Sequence, residues 1–318
     1  TDATAKATTF QYDLPGRITK LFYPSNPTVA FATNVYDSLG RVQTQTNANG
    51  KVYTYYFAGT RSEETGPLGL SRISYINEFG KVTKSISPTG KVTANTYDGQ
   101  TRLSKTMLPE GNAVEYEYDD APCAAQQRCT HNVKTIRQVA KSGSGLATLT
   151  QGFTYESSFN KVATSTDARG KVTSYSYTAQ GLPLAVTSPA DAAGVQPVTT
   201  YGYTAYTAAG FPAFTLQTSV SQKTSASNTV LSTTAYNAAN KYVPQTVVAD
   251  AGTGKLNLST TLTFDAVGNP TQVNGPRTDV TDTVTNVYDA ERRVTQSTNA
   301  LGKLTRLAYD ADGRLIRS

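Results

Sequence analysis

Two turn signals alternate at a fixed distance along this chain, and that spacing constrains its fold more than any other feature. In residues 34–57, "NVYDSLGRVQTQTNANGKVYTYYF", a Tyr-Asp pair runs into Gly-Arg. A Thr-rich run follows, and Asn47-Ala48-Asn49-Gly50 then opens into Lys51. The same order returns in residues 286–310, "NVYDAERRVTQSTNALGKLTRLAYD". Tyr36 precedes Gly50 by 14 residues, as Tyr97 precedes Gly111 and Tyr288 precedes Gly302; Tyr75 to Gly90 and Tyr155 to Gly170 take 15. From each of these glycines, seven more residues reach an aromatic: Phe57, Tyr97, Tyr118, Tyr177 and Tyr309. The period is therefore 21 or 22 residues, which is the signature of a repeat architecture.

Both turns carry the same chemistry. The first is Tyr-Asp-x-x-Gly-Arg, at Tyr12-Asp13 to Gly16, Tyr36-Asp37 to Gly40 and Tyr309-Asp310 to Gly313; Tyr97-Asp98 and Tyr288-Asp289 open similar turns. The second is Asn/Asp/Ser-x-x-Gly-Lys, ending at Gly50, Gly90, Gly170 and Gly302. A carboxylate or amide at the first position accepts a backbone hydrogen bond from further along the turn, and glycine at the fourth supplies positive φ, the recipe for a short hairpin loop with a bulge. Between turns, runs such as "RVQTQT", "KVTSYSY" and "KLTRLAY" alternate apolar with polar residues, the period of a half-buried strand. Seven such residues span roughly 23 Å. The expected fold is all-β: an array of antiparallel hairpins, each about 21 residues, joined edge to edge into one long curved sheet. We expect a single array over residues 1–318, with an irregular insertion at about 119–148 and diverged repeats at about 195–275.

Composition fits a thin sheet better than a thick globule. Hydrophobic residues are 38% of the 318 with tyrosine counted, charged residues 16%, and there is no tryptophan, one methionine and one histidine. The net charge of +6 is spread along the chain without a basic cluster, so no nucleic-acid partner is expected. No apolar run approaches the roughly 20 residues of a membrane-spanning helix. The first residue is Thr1, and the repeat continues to the last residues, which leads us to expect a piece of a longer chain.

"YDLPGRIT", "YDSLGRV" and "YDADGRLI", with "G-K-V/L-T-x-x-x-Y" between them, resemble the YD repeats of RHS proteins. That family includes bacterial Rhs polymorphic toxins, the B/C components of insecticidal toxin complexes, and animal teneurins. The resemblance covers the whole chain, most closely at residues 10–120, 150–180 and 285–315. It implies a spiral sheet forming part of a hollow shell, which in bacterial members encloses a C-terminal toxin. It further implies a secreted or cell-surface bacterial protein, whose partners are the remaining repeats and the C-terminal toxin domain of the same polypeptide, with a delivery apparatus beyond them. The Asp-Pro self-cleavage sequence of bacterial Rhs cores does not occur here, so the segment reads as wall without plug, cleavage site or cargo.

Catalytic candidates are few. His131 is the sole histidine, so a triad would have to be built on it, and a two-histidine metal site is impossible. Cys123 and Cys129 lie close together in "DDAPCAAQQRCTHNV"; a hairpin disulfide is the preferred reading, and two free thiols the alternative. The turn aspartates, Asp119 and Asp265 among them, are explained by turn geometry before acid–base chemistry. No cofactor is expected, and the chain is not read as an enzyme. The registered tyrosines are expected to pack beside each turn and seal neighbouring hairpins. A surface adhesin contacting glycans through exposed tyrosines such as Tyr53 or Tyr55 is the alternative function.

Overall fold

The computed structural model describes residues 5–119, 130–223, 225, 228–237 and 242–318. These form 27 strands, from Thr9–Tyr12 to Leu315–Arg317, and no α-helix. Twenty-five strands belong to one open antiparallel sheet, and Ala308–Tyr309 with Leu315–Arg317 make a separate two-stranded ladder. Strands adjacent in sequence pair with each other, as the hairpin reading requires. The chain falls into two compact units. The first comprises Thr1–Thr54, Tyr201–Ser221 and Thr229–Ser318; the second comprises Tyr55–Thr200 and Gln222–Asn228.

The turns form because one side chain does the work of a turn's missing backbone partner. At Asp37, the residue's own N–H donates to Arg41 O (2.8 Å), and Gly40 N–H donates back to Asp37 O (3.0 Å). The carboxylate oxygen Oδ1 accepts the N–H groups of Leu39 and Arg41, each at 2.9 Å. Gly40 has φ +79°, a value that a Cβ would strain. Asn47 wires the other kind of turn in the same way, its Oδ1 accepting Lys51 N–H at 2.8 Å.

The two kinds of turn nevertheless differ in register. Beyond Asn47 the ladder runs evenly, Thr46 opposite Val52 and Thr44 opposite Thr54. Beside Asp37, Tyr36 lies opposite Val42 but Val35 lies opposite Thr44, so Gln43 is an extra residue in its strand. That is a β-bulge, which bends the strand and raises its twist. The same skip recurs beside Tyr12, Tyr97, Tyr118, Tyr155, Tyr177, Tyr236, Phe264, Tyr288 and Tyr309.

The bulge accounts for the prolines of the diverged stretch. Pro183, Pro244 and Pro270 stand directly opposite Tyr177, Tyr236 and Phe264 at the bulge. A residue without an N–H is tolerated there because the ladder is already interrupted. The diverged repeats also use longer strands, such as Phe214–Lys223 with 10 residues.

Three sequence expectations change in detail. Tyr75 is not the corner residue of its repeat: the bulge lies between Tyr75 and Ile76, and Asn77 closes the turn, so Ile76 restores the 14-residue spacing to Gly90. At Tyr155 the turn itself is one residue longer, Glu156 N–H donating to Lys161 O. A glutamate replaces aspartate there, and its longer side chain spans the extra residue to accept Lys161 N–H at 2.9 Å. The irregular segment expected at 119–148 contains a regular strand, Val133–Val139, paired on both sides. Asp119 N–H donates to Asn132 O, which closes the Tyr118–Asp119 corner. Cys123 and Cys129 lie outside the described residues.

Burial is shallow. Among the described residues Ala113 is the one buried hydrophobic residue, no side chain is fully buried, and Arg102 and Asn132 are the buried polar residues. Apolar burial therefore contributes little per residue, and cohesion rests on the backbone ladder and on the corners.

Candidate functional site

At seven corners the backbone carbonyl that stands at the bulge accepts a hydrogen bond from the next repeat. The Tyr36 hydroxyl donates to Ile18 O at 2.6 Å. Tyr97 donates to Val82 O, Tyr118 to Leu103 O, Tyr155 to Val133 O, Tyr177 to Val162 O, Tyr288 to Pro270 O and Tyr309 to Val294 O, all at 2.8–2.9 Å. In each case the acceptor stands at the bulge of the preceding corner. These seven tyrosines are thus ties between consecutive repeats.

Arginine completes the tie. Arg17 is held by its own corner, Nε on Asp13 Oδ2 at 2.7 Å, and its guanidinium lies 4.5 Å from the Tyr36 ring centroid. Arg102, on Asp98, lies 4.4 Å from Tyr118, and Arg293, on Asp289, lies 4.6 Å from Tyr309. A planar guanidinium that pairs with a carboxylate can stack on a ring at the same time, which lysine's point charge does less well. Where arginine is absent, Asn269 donates to Asp265 Oδ2 at 2.8 Å but leaves Tyr288 unstacked by that corner. In the diverged repeats of the first unit an aromatic cluster takes over: Tyr242 packs edge-on against Tyr206 and Phe214 at 5.3 and 4.8 Å.

Sequence reasoning missed the residue two places before the tyrosine. Asn34 donates to the same Ile18 O at 3.0 Å, Asn95 to Val82 O at 2.9 Å, and Asn286 to Pro270 O at 3.4 Å. One bulge carbonyl has two lone pairs, and the amide and hydroxyl take both. The signal was present as Asn-x-Tyr-Asp in "NVYD", "NTYD" and "NVYD". Two aromatic–aspartate corners also dispense with the fourth-position glycine: Thr101 and Arg292 adopt φ +61° and +65° themselves.

Several corner carboxylates are held below the ordinary aspartate range. The Arg41 backbone N–H on Asp37 holds its carboxyl below the ordinary 3.8, against partial desolvation, and the Arg314 N–H does the same for Asp310. At Asp167 the Lys171 N–H leads. With folded values depressed, the stabilisation is complete above the ordinary aspartate range and is lost as pH falls through the folded values. Melting followed by circular dichroism should therefore be level near neutrality and fall steeply below about pH 4. An Asp37→Asn variant should show a shallower fall, and a parallel curve would sever Asp37 from the effect.

Within the first unit, two turns far apart in sequence meet tip to tip. Asn47-Ala48-Asn49-Gly50 faces Asp310-Ala311-Asp312-Gly313, an amide version and an acid version of one pattern. Asn47 Nδ2 donates to Asp312 Oδ2 at 2.6 Å; Asn49 Nδ2 reaches Asp312 Oδ2 at 2.9 Å and Asp310 Oδ2 at 3.0 Å. Arg314 caps Asp312 at 2.8 Å, leaving its carboxylate 5% exposed with Oδ1 buried and unpartnered. A groove of about 990 Å³ adjoins this seam, walled by Phe10, Tyr23 and Phe31 on one side and Glu291 and Arg293 on the other.

His131 is exposed, and its described hydrogen bond is to the neighbouring Thr130, Nδ1 lying 3.3 Å from Oγ1. Among the described residues no group of three or more metal-ligating side chains occurs. Tyr53 and Tyr55 are half-buried rather than exposed; Tyr56 is the exposed tyrosine of that strand.

The profile of the teneurin YD-shell family matches residues 1–318, the full length of the chain. The chain belongs to the teneurin YD-shell family. Comparison with curated proteins gives no match. Among solved structures, this YD-shell chain is similar to TcdB2-TccC3-Cdc42, at 14% identity and TM-score 0.41 over 96% of the chain and 23% of that one. It is also similar to TcdB2-TccC3-TEV, at 14% identity and TM-score 0.48 over 98% and 19%. A third is the Photorhabdus luminescens Tc holotoxin pore, at 13% identity and TM-score 0.34 over 97% and 24%. The YD-shell chain therefore spans about a quarter or less of the length of these three structures.

Proposed function

We propose that this chain is a wall segment of a hollow YD shell that encloses a C-terminal toxin or effector domain of the same polypeptide and helps to deliver it outside the producing cell. The observation that carries the reading is the tie between consecutive corners. A sheet without a thick core gains rigidity when each repeat grips the one before it by a tyrosine hydroxyl, an asparagine amide and an arginine face. Such a sheet can act as a partition, with no chemistry of its own required. The seam between the 47–50 and 310–313 turns supports the same reading, since lateral contacts between distant repeats are what joins neighbouring courses of a wall.

The test is protection of the cargo. In the complete gene product, residues following this array should withstand protease at concentrations that digest the same residues expressed alone. Equal digestion, or a gene product with no further domain to enclose, would count against the proposal.

A further inference from the structure

We propose that Asn49 is a spontaneous deamidation site, and that its conversion to a carboxylate releases the seam between the 47–50 and 310–313 turns. The first observation is chemical. Asn49 is exposed and is followed by Gly50, whose lack of a Cβ lets the backbone nitrogen approach the Asn49 Cγ. In the reaction the Gly50 nitrogen bonds to Cγ, the Cγ–Nδ2 bond breaks, and ammonia leaves with the proton given up by Gly50. Water then opens the five-membered imide and leaves aspartate or isoaspartate at position 49. Water is the one co-reactant, and no oxidant is needed.

The second observation is the setting. Asn49 Nδ2 bridges two carboxylates, Asp310 and Asp312, at 3.0 and 2.9 Å. Replacing that amide by a carboxylate removes both donors and sets a third negative charge against the two already there. Arg314, which caps Asp312 from its own corner, is the cation at hand, and it is already engaged. The Asp312 Oδ1 that is buried without a partner makes the acid side of the seam less tolerant of further charge.

The chain carries its own control. Asn274-Gly275 is the other Asn-Gly pair, but Asn274 ends the strand Pro270–Asn274 and is paired on both sides, with Thr261 and Thr283. Its Oδ1 accepts Thr283 Oγ1 at 2.6 Å. An extended, clamped asparagine holds its Cγ away from the following nitrogen. At Asn49 the Gly50 N–H donates to Asn47 O across a tight turn, and opening one exposed turn frees the nucleophile.

The experiment is to age the wild-type chain in mildly alkaline buffer and read tryptic peptides by mass spectrometry. A gain of about 1 Da should accumulate in the peptide covering residues 42–51 at Asn49, at least about tenfold faster than at Asn274. The Asn49→Asp variant should melt at a lower temperature, with faster amide exchange at Gly50 and Gly313. Adding Asp312→Asn should recover part of that loss by restoring an amide opposite an acid. If Asn49→Asp does not fold, amide exchange on aged wild-type protein gives the same readout. Equal conversion at the two sites overturns the modification. Unchanged melting of Asn49→Asp, or no recovery in the double variant, overturns the seam as its consequence.

Discussion

Replacing Arg102 by alanine should destabilise its hairpin by about 2–3 kcal/mol, the largest effect expected of any single corner arginine. Arg102 is 8% exposed, and its side chain does four things at once. It pairs through Nε with Asp98 Oδ2 at 2.7 Å, donates to Thr130 O, stacks 4.4 Å from Tyr118, and so steadies the ring whose hydroxyl reaches Leu103 O. Truncation takes a side-chain donor away from the half-buried Asp98 carboxylate and from the Thr130 carbonyl, and that asymmetry costs more than the bond itself was worth. Arg169→Ala is the comparison: Arg169 also pairs with a turn aspartate, but it is 83% exposed. Its loss should leave melting unchanged, as for most surface ion pairs. Because repeats unfold in local units, amide exchange across residues 95–118 is the sharper measurement. If the two substitutions proved equal, the corner arginines would be decoration rather than ties.

Gly181→Ala should cost about 2–4 kcal/mol, from two sources that can be separated. Gly181 has φ +76°, where any Cβ is strained, and a Cβ there would lie 2.9 Å from the Phe159 ring. Phe159 is held in place because the Glu156 corner is one residue longer than its neighbours, with Phe159 N–H bonded to Glu156 Oε1 at 2.9 Å. Gly302→Ala meets the same strain at φ +71° but touches nothing within 4 Å, so it should cost about 1 kcal/mol. The difference between the two variants measures how tightly adjacent corners nest. Gly181→Ala combined with Phe159→Ala should return to the cost of strain alone.

The fold was legible because it is written in local chemistry that recurs. Asp13, Asp37 and Asp310 each state a turn by themselves, and alternation between turns states a strand, so repetition made hairpin stacking readable without any distant contact. What escaped notice lay one step beyond that locality. The turn chemistry pointed to a bulge, but which strand residue would be the extra one could not be read from the sequence. The extra residue, Gln43 beside Tyr36 or Lys134 beside Tyr118, is an ordinary strand residue in all but pairing. Until the bulge was placed there was no acceptor carbonyl to name, and without the carbonyl Asn34, Asn95 and Asn286 had nothing to hold. The one-residue slip at Ile76 escaped for a related reason: tyrosine drew the alignment, whereas the closing Asn77 defines the corner. The seam between the 47–50 and 310–313 turns joins residues about 260 positions apart, and only folding brings such tips together.

The ties also have a direction. Each of the seven tying tyrosines reaches back to a carbonyl made earlier in the chain, 15 to 22 residues before it. A ribosome releasing this polypeptide therefore delivers each acceptor before its donor, and a newly emerged hairpin finds a finished edge waiting. Assembly can proceed as masonry does, one course set on the last, without long stretches of bare chain awaiting a partner still to be translated.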